Sequence, residues 1–220
     1  MGYLIHRAGR TPALDAGFDS GEWSGCRTLN VDVFRPEGSA IRPETRFRLQ
    51  YDREGLYGLF SVRDRFVRCV ARKFQDPVCR DSCVEFFVRP AHGRGYVNFE
   101  FSAAGVLLAQ HVADCRRRPG TDDVRPLTER EAAGIRIYHS LPGRIEQELA
   151  QETCYELGFF LPFSIFAGTH GAPGPVSRTV WSGNVYKCGD DTSHPHWASW
   201  RPVRRVNFHE PDCFGDLEFE

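Results

Sequence analysis

At 220 residues and 25.0 kDa the chain has the size of one large domain, and its 41% hydrophobic and 26% charged residues suit a globular protein that buries a core without disulfide or metal staples. The 28 basic and 29 acidic residues nearly cancel, so no overall field draws it to nucleic acid or to an anionic membrane. No stretch has the length of a transmembrane helix, and the opening "MGYLIHRAGRTPALDAG" has only three apolar residues in a row, too few for a secretory signal; the expected location is cytoplasmic unless a leader has been removed.

Along the chain the dominant pattern has a period of two. "TRFRLQYD" (45–52) puts Phe47, Leu49 and Tyr51 on one face and Arg46, Arg48 and Gln50 on the other, a half-buried strand. "REG" turns it into "LYGLFSVRD" (56–64), which predicts a hairpin. "SCVEFFVRP" (82–90) and "GYVNFEFS" (95–102) predict a second hairpin, and "SAAG" leads on to "VLLAQHVAD". The run Arg116 to Arg118 precedes "PGTDD" and reads as a solvated loop. "PLTEREAAG" (126–134) is the one helical window, with Thr128 as N-cap and Glu131 completing a capping box. Later strands are predicted at 134–141, 153–163, 179–188 and 215–220. Short strands separated by glycine- and proline-containing turns, with no repeat, linker or composition shift, predict one all-β domain over residues 1–220. Its architecture is an antiparallel β-sandwich of immunoglobulin-like or jelly-roll type, with long connecting loops and at most one or two short helices.

Catalytic signatures are lacking: the chain has no G-x-S-x-G elbow, HExxH, P-loop or dinucleotide fingerprint. Glu85 and Glu100 could be imagined as a glycosidase pair, but nothing local sets the spacing such a pair requires. The eight cysteines contain no CxxC and read mostly as free, buried thiols, which leans towards a reducing compartment. In "WSGNVYKCGDDTSHPHWASW" (181–200), His194 and His196 with Cys188 and Asp190 make a candidate metal set, since HxH on an extended segment directs both rings to one side.

The succession "LQYDREGLYGLFSVRD", "DSCVEFFVRP", "YVNFEFSAAG", "LPFSIF", "WSGNVYKCGD", "SHPHWASW" and "NFHEPDCFGDLEF" resembles the family 9-like carbohydrate-binding modules of the DOMON-like β-sandwich superfamily. The opening "LDAGFDSGEWSGCRTLNVDVF" is similar to that family's start, so the resemblance spans almost the whole chain. It implies a non-catalytic module that recognises a mono- or oligosaccharide at a chain end, with two aromatic side chains clamping the terminal sugar and polar groups holding its hydroxyls. Carried onto this sequence, the ligand-binding residues are Glu85, Tyr96, Asn98, Glu100, Trp181 and Asn184. Glu85, Asn98 and Glu100 fall on the polar faces of neighbouring strands, Trp181 stands for the clamp tryptophan, and Asn184 for the polar contact beside it. Two departures stand out: "QDPVCRD" before Glu85 has no tryptophan for the other half of the clamp, and Tyr96 stands where an arginine is expected.

The same resemblance implies that residues 188–200 form a structural connecting loop and that Tyr155 lies in the core; Trp200, in "ASWRPV", reads as a core or edge-covering aromatic. It suggests a secreted or periplasmic setting. No cofactor is required; structural calcium, with the acidic pair of "CGDD" as its oxygen donors, stays open. The alternatives are a haem- or metal-binding relative, in which haem would need two histidines because the only methionine is Met1, and a degenerate sandwich that mediates protein contacts.

Overall fold

A computed structural model describes residues 2–91, 93, 95–114, 123–166 and 177–220. The predicted loop at Arg116 to Arg118 lies outside these residues. Sixteen strands run in the order β1 (Tyr3–Arg7), β2 (Leu29–Asn30), β3 (Val33–Phe34), β4 (Glu44–Tyr51), β5 (Gly55–Asp64), β6 (Val67–Cys69), β7 (Cys83–Arg89) and β8 (Tyr96–Ser102). They continue as β9 (Leu107–Val112), β10 (Val124–Pro126), β11 (Arg136–His139), β12 (Ile145–Leu149), β13 (Thr153–Pro162), β14 (Val180–Cys188), β15 (Trp197–Ser199) and β16 (Gly215–Phe219). Helix α1 (Glu129–Ala132) lies in the predicted helical window, and Thr128 and Glu131 cap it reciprocally. Among the described residues no helix is long and apolar enough to cross a membrane.

One sheet has the order β10-β9-β8-β7-β14-β16-β1, and the strands continue from β1 through β4-β5-β13-β11 as the second. Strand β1 belongs to both: Tyr3 is paired with Leu217 of β16, while His6 is paired with Gln50 of β4. Both pairings are parallel, a departure from the antiparallel order expected everywhere; the other ladders are antiparallel. The Tyr3 hydroxyl fixes the junction, donating to Arg27 O at 2.7 Å and accepting from Leu49 N at 3.0 Å.

The two sheets fold face to face over an aromatic core. Phe86 of β7 and Phe101 of β8 lie 5.8 and 5.1 Å from Phe159 of β13, and Phe47 of β4 lies 5.8 Å from Phe86. Gly58, opposite Phe159 in the ladder, makes room for that ring: a Cβ there would stand 2.2 Å from the ring's Cζ. Tyr155 is buried in the same core, as expected.

The alternation that fills the core sends the other side chains of β7, β8 and β14 to the outer face, where a second buried cluster gathers around Phe87, Tyr96, Tyr186 and Phe208. The chain after β14 folds over this face. Its anchor is Lys187, fully buried, whose Nζ lies 2.9 Å from Asp64 Oδ2 and donates to His196 Nε2 at 2.8 Å and to Cys188 O at 3.0 Å. An ammonium only donates, so Nε2 is an acceptor and the ring proton sits on Nδ1, which donates to His194 O at 3.0 Å.

Candidate functional site

Three strands build the floor of a cavity on the outer face of the first sheet. In register across β14, β7 and β8, Cys188, Cys83 and Ser102 form one row, Tyr186, Glu85 and Glu100 the next, and Asn184, Phe87 and Asn98 a third. The segments before and after these strands supply the walls. Cys79, Glu85, Phe87, Glu100, Cys188, Asp190, Trp197, Asn207, Phe208 and His209 are among the residues around a volume of about 260 Å³.

Glu85 and Glu100 are cross-strand neighbours at this floor, both buried. Burial holds the Glu85 carboxyl well above the usual carboxylate range, and the negative charge of Glu100 beside it adds to the shift. Glu85 Oε1 accepts from Cys188 Sγ at 3.1 Å. Asn98 donates from Nδ2 to Glu100 Oε1 at 2.7 Å, which orients that carboxyl. Tyr96 shares a 2.6 Å hydrogen bond with His209 Nδ1 and stacks on Phe87. Thus Glu85 and Glu100 line the cavity, and Asn98 and Tyr96 sit behind, each fixing a residue that does.

Trp181 and Asn184 are placed elsewhere. Trp181 shares its side of β14 with Val185 and points into the sandwich, 3% exposed, with Phe166 and Phe219 each 5.1 Å away. The expected clamp role is therefore corrected: the indole is a core side chain on the opposite face from the cavity. Asn184 faces outward, but its amide is committed to backbone. Oδ1 accepts from Val185 N and Arg201 N, both at 2.9 Å, and Nδ2 donates to Arg201 O at 3.0 Å, so it pins the chain after β15 rather than lining the cavity.

The tryptophan at the cavity is Trp197. It is half-buried, and its Nε1 donates to Asp190 Oδ1 at 2.8 Å, which fixes the plane of the indole. Burial raises the Asp190 carboxyl above its ordinary value, and the Trp197 hydrogen bond pulls the other way. The connecting loop that the resemblance implied over 188–200 is only partly a loop: it runs from the end of β14 at Cys188 to β15, which starts at Trp197, and Cys188, Asp190 and Trp197 line the cavity. Trp197, Asn207 and His209 were not assigned from the sequence, and Asp190 was assigned only as a metal or calcium ligand. Trp197 opens a strand of three residues, too short to show a period, so the signal that could have found it was a large aromatic in an otherwise polar, proline-containing stretch.

The histidine-containing metal set does not assemble. His194 stacks on Phe66 at 3.7 Å, while His196 turns inward to Lys187. In the acidic pair proposed for calcium, Asp190 holds Trp197 and Asp191 lies 3.9 Å from Arg80. Trp200 is packed partly buried against the core, with the Arg201 guanidinium 4.7 Å from its ring centroid.

The model of carbohydrate-binding family 9 matches residues 24–219. The chain belongs to that family. A search of curated proteins returns no match. Among solved structures, this family 9 chain is similar over its full length, and over 100% of the other chain, to a protein from Bacteroides uniformis proposed to bind carbohydrate, with 28% identity and a TM-score of 0.84. It is also similar to a family 9 module from Caldicellulosiruptor kristjanssonii, solved in complex with glucose and in complex with cellotriose. Those two matches have 12% identity and a TM-score of 0.65, and cover 99% of this chain and 95% and 93% of the others. At that identity they establish the β-sandwich fold, which is the fold expected from the sequence.

Proposed function

We propose that the cavity bounded by Glu85, Glu100, Asp190, Trp197 and His209 is the sugar site of this carbohydrate-binding module. The observation that carries the assignment is the joining of an oriented indole with carboxyl groups around one small concave space. A pyranose offers an apolar C–H face and a rim of hydroxyls that each donate and accept, so it is recognised by a flat aromatic surface together with fixed polar groups. Trp197 supplies the surface, with its Nε1 tied back to Asp190 so that the ring loses little freedom on binding. Glu85 and Glu100 supply acceptors at the floor, and burial favours the protonated form of Glu85, which can also donate.

The volume of about 260 Å³ lies at the small end of ligand pockets and has room for about one sugar ring, which favours a monosaccharide or the end of a chain. The relatives solved with glucose and cellotriose make gluco-configured sugars the first ligands to try. The carboxyl arrangement supports binding without hydrolysis. Glycosidases place two carboxyls on either side of the scissile bond, whereas Glu85 and Glu100 stand side by side on one floor, paired across adjacent strands.

Saturation-transfer NMR with free glucose, cellotriose and a panel of other unattached sugars tests the reading. The expected result is transfer concentrated on one terminal residue, lost in Trp197→Ala. Silence across the panel, or transfer that persists in that variant, would reject the site.

A further inference from the structure

We propose that Cys83, Cys188 and Glu85 form a binding site for a thiophilic divalent cation of the zinc type at the floor of the cavity, with a fourth coordination position open to the cavity. The two cysteines are directly opposed across β7 and β14, and Glu85 follows Cys83 on the same face two residues along. One ligand atom from each of the three residues lies within 4.8 Å of the other two, and all three side chains are buried.

The spacing suits the ion. Zinc with bonds of about 2.3 Å to sulfur and about 2.0 Å to oxygen, at tetrahedral angles, places a sulfur and an oxygen roughly 3.5 Å apart. Glu85 Oε1 stands 3.1 Å from Cys188 Sγ and 4.0 Å from Cys83 Sγ, on either side of that separation, so small side-chain rotations reach it. Two soft sulfurs and one carboxylate select zinc-type ions over magnesium or calcium, which take oxygen donors. Cys188 and Glu85 line the cavity while Cys83 lies beneath, so the uncommitted direction faces the open space.

The surrounding charge agrees. Glu100 and Asp190 both place negative potential on Glu85; the Lys187 charge opposes them more weakly, its Nζ being held by Asp64, His196 and Cys188 O. Coordination displaces the thiol protons of Cys83 and Cys188 and, from the protonated form that burial favours, the carboxyl proton of Glu85. From that form one divalent cation is exchanged for three protons, and the set of ion and ligands carries a net charge of −1. The inference rests on these three residues and stands whether or not the cavity holds a sugar.

Titration of the reduced, full-length protein with Co²⁺ is the test. The expected result is one ion per chain, with a near-ultraviolet sulfur-to-cobalt charge-transfer band and visible bands of tetrahedral intensity, all bleached by Zn²⁺. The ultraviolet band should be lost in Cys83→Ser and in Cys188→Ser and kept in Cys154→Ser, whose thiol is exposed. Because the serine variants touch a buried cluster, X-ray absorption of the zinc-loaded wild-type protein provides a second measure, expected to count two sulfurs and two lighter ligands. A protein that takes up no Co²⁺, a band that survives both serine variants, or a zinc shell with no sulfur or with four would overturn the proposal.

Discussion

Acidification should loosen the anchor beneath the cavity wall, and His196 gives the size of the effect. The imidazole is buried and accepts from the Lys187 ammonium, so a proton on Nε2 would set two cations 2.8 Å apart, a repulsion that Asp64 Oδ2, 2.9 Å from Nζ and 4.0 Å from Nε2, offsets only in part. Desolvation, with the Lys187 charge adding to it, lowers the His196 value from 6.5 to about 4. The unfolded chain takes up the proton from pH 6.5 downwards while the folded chain refuses it until about pH 4. The stabilisation is therefore fully present above 6.5 and is lost as pH falls through that window. Going from pH 7 to about pH 4.5 should remove about 2 kcal/mol through this residue alone, or roughly 4–8 °C of melting temperature for a chain of this size. Other groups titrate in the same range, so the informative comparison is with His196→Gln, whose amide can accept from Lys187 and donate to His194 O but does not titrate. Thermal melts of both proteins across this range should show the wild type losing the extra increment. Parallel curves would refute the neutral, accepting imidazole.

Trp181→Ala removes a core indole and should cost about 3–5 kcal/mol in chemical unfolding while the protein that remains folded still binds sugar; unchanged stability with lost binding would reverse the assignment. Gly58→Ala forces a methyl against the Phe159 ring and should destabilise by about 1–3 kcal/mol, read as a lower denaturation midpoint. Asn184→Leu leaves the Arg201 amide without its acceptor and should speed hydrogen exchange there while the Phe86 amide stays protected.

What the sequence made legible was the long strands. Alternation over eight residues, as in Glu44–Tyr51, is strong because one face must be buried; Gly55–Asp64, buried on both faces over most of its length, was legible as an apolar run after a turn, and a capping box is a local device readable from two residues. Strand β1 was missed because its five residues find their partners at Gln50 and Leu217, far away in the chain, and strands of two or three residues carry no period at all. Of the residues around the proposed cavity, only some were legible. Glu85 and Glu100 came from the family resemblance, and strand parity set them on one face; the same parity separates Trp181 from Asn184, three positions apart on one strand and hence on opposite faces. The family resemblance pointed to a tryptophan in this region, but the indole at the cavity comes from Trp197, the first residue of the three-residue strand β15, reached through a connection whose path depends on the Lys187 anchor and the Asp190 hydrogen bond. Such a path is set by tertiary contacts that no local pattern encodes.

The central claim, that the outer-face cavity with Trp197 receives the sugar, is tested most directly by the indole N–H resonances of ¹⁵N-labelled protein, assigned by single Trp→Phe variants. The chain has four tryptophans, and the structure puts Trp197 alone among them at the cavity. Adding glucose or cellotriose should move the Trp197 signal in proportion to saturation and leave those of Trp23, Trp181 and Trp200 in place. A Trp181 signal that moves while Trp197 stays fixed would contradict the account and return the site to the face of β14 that the structure buries.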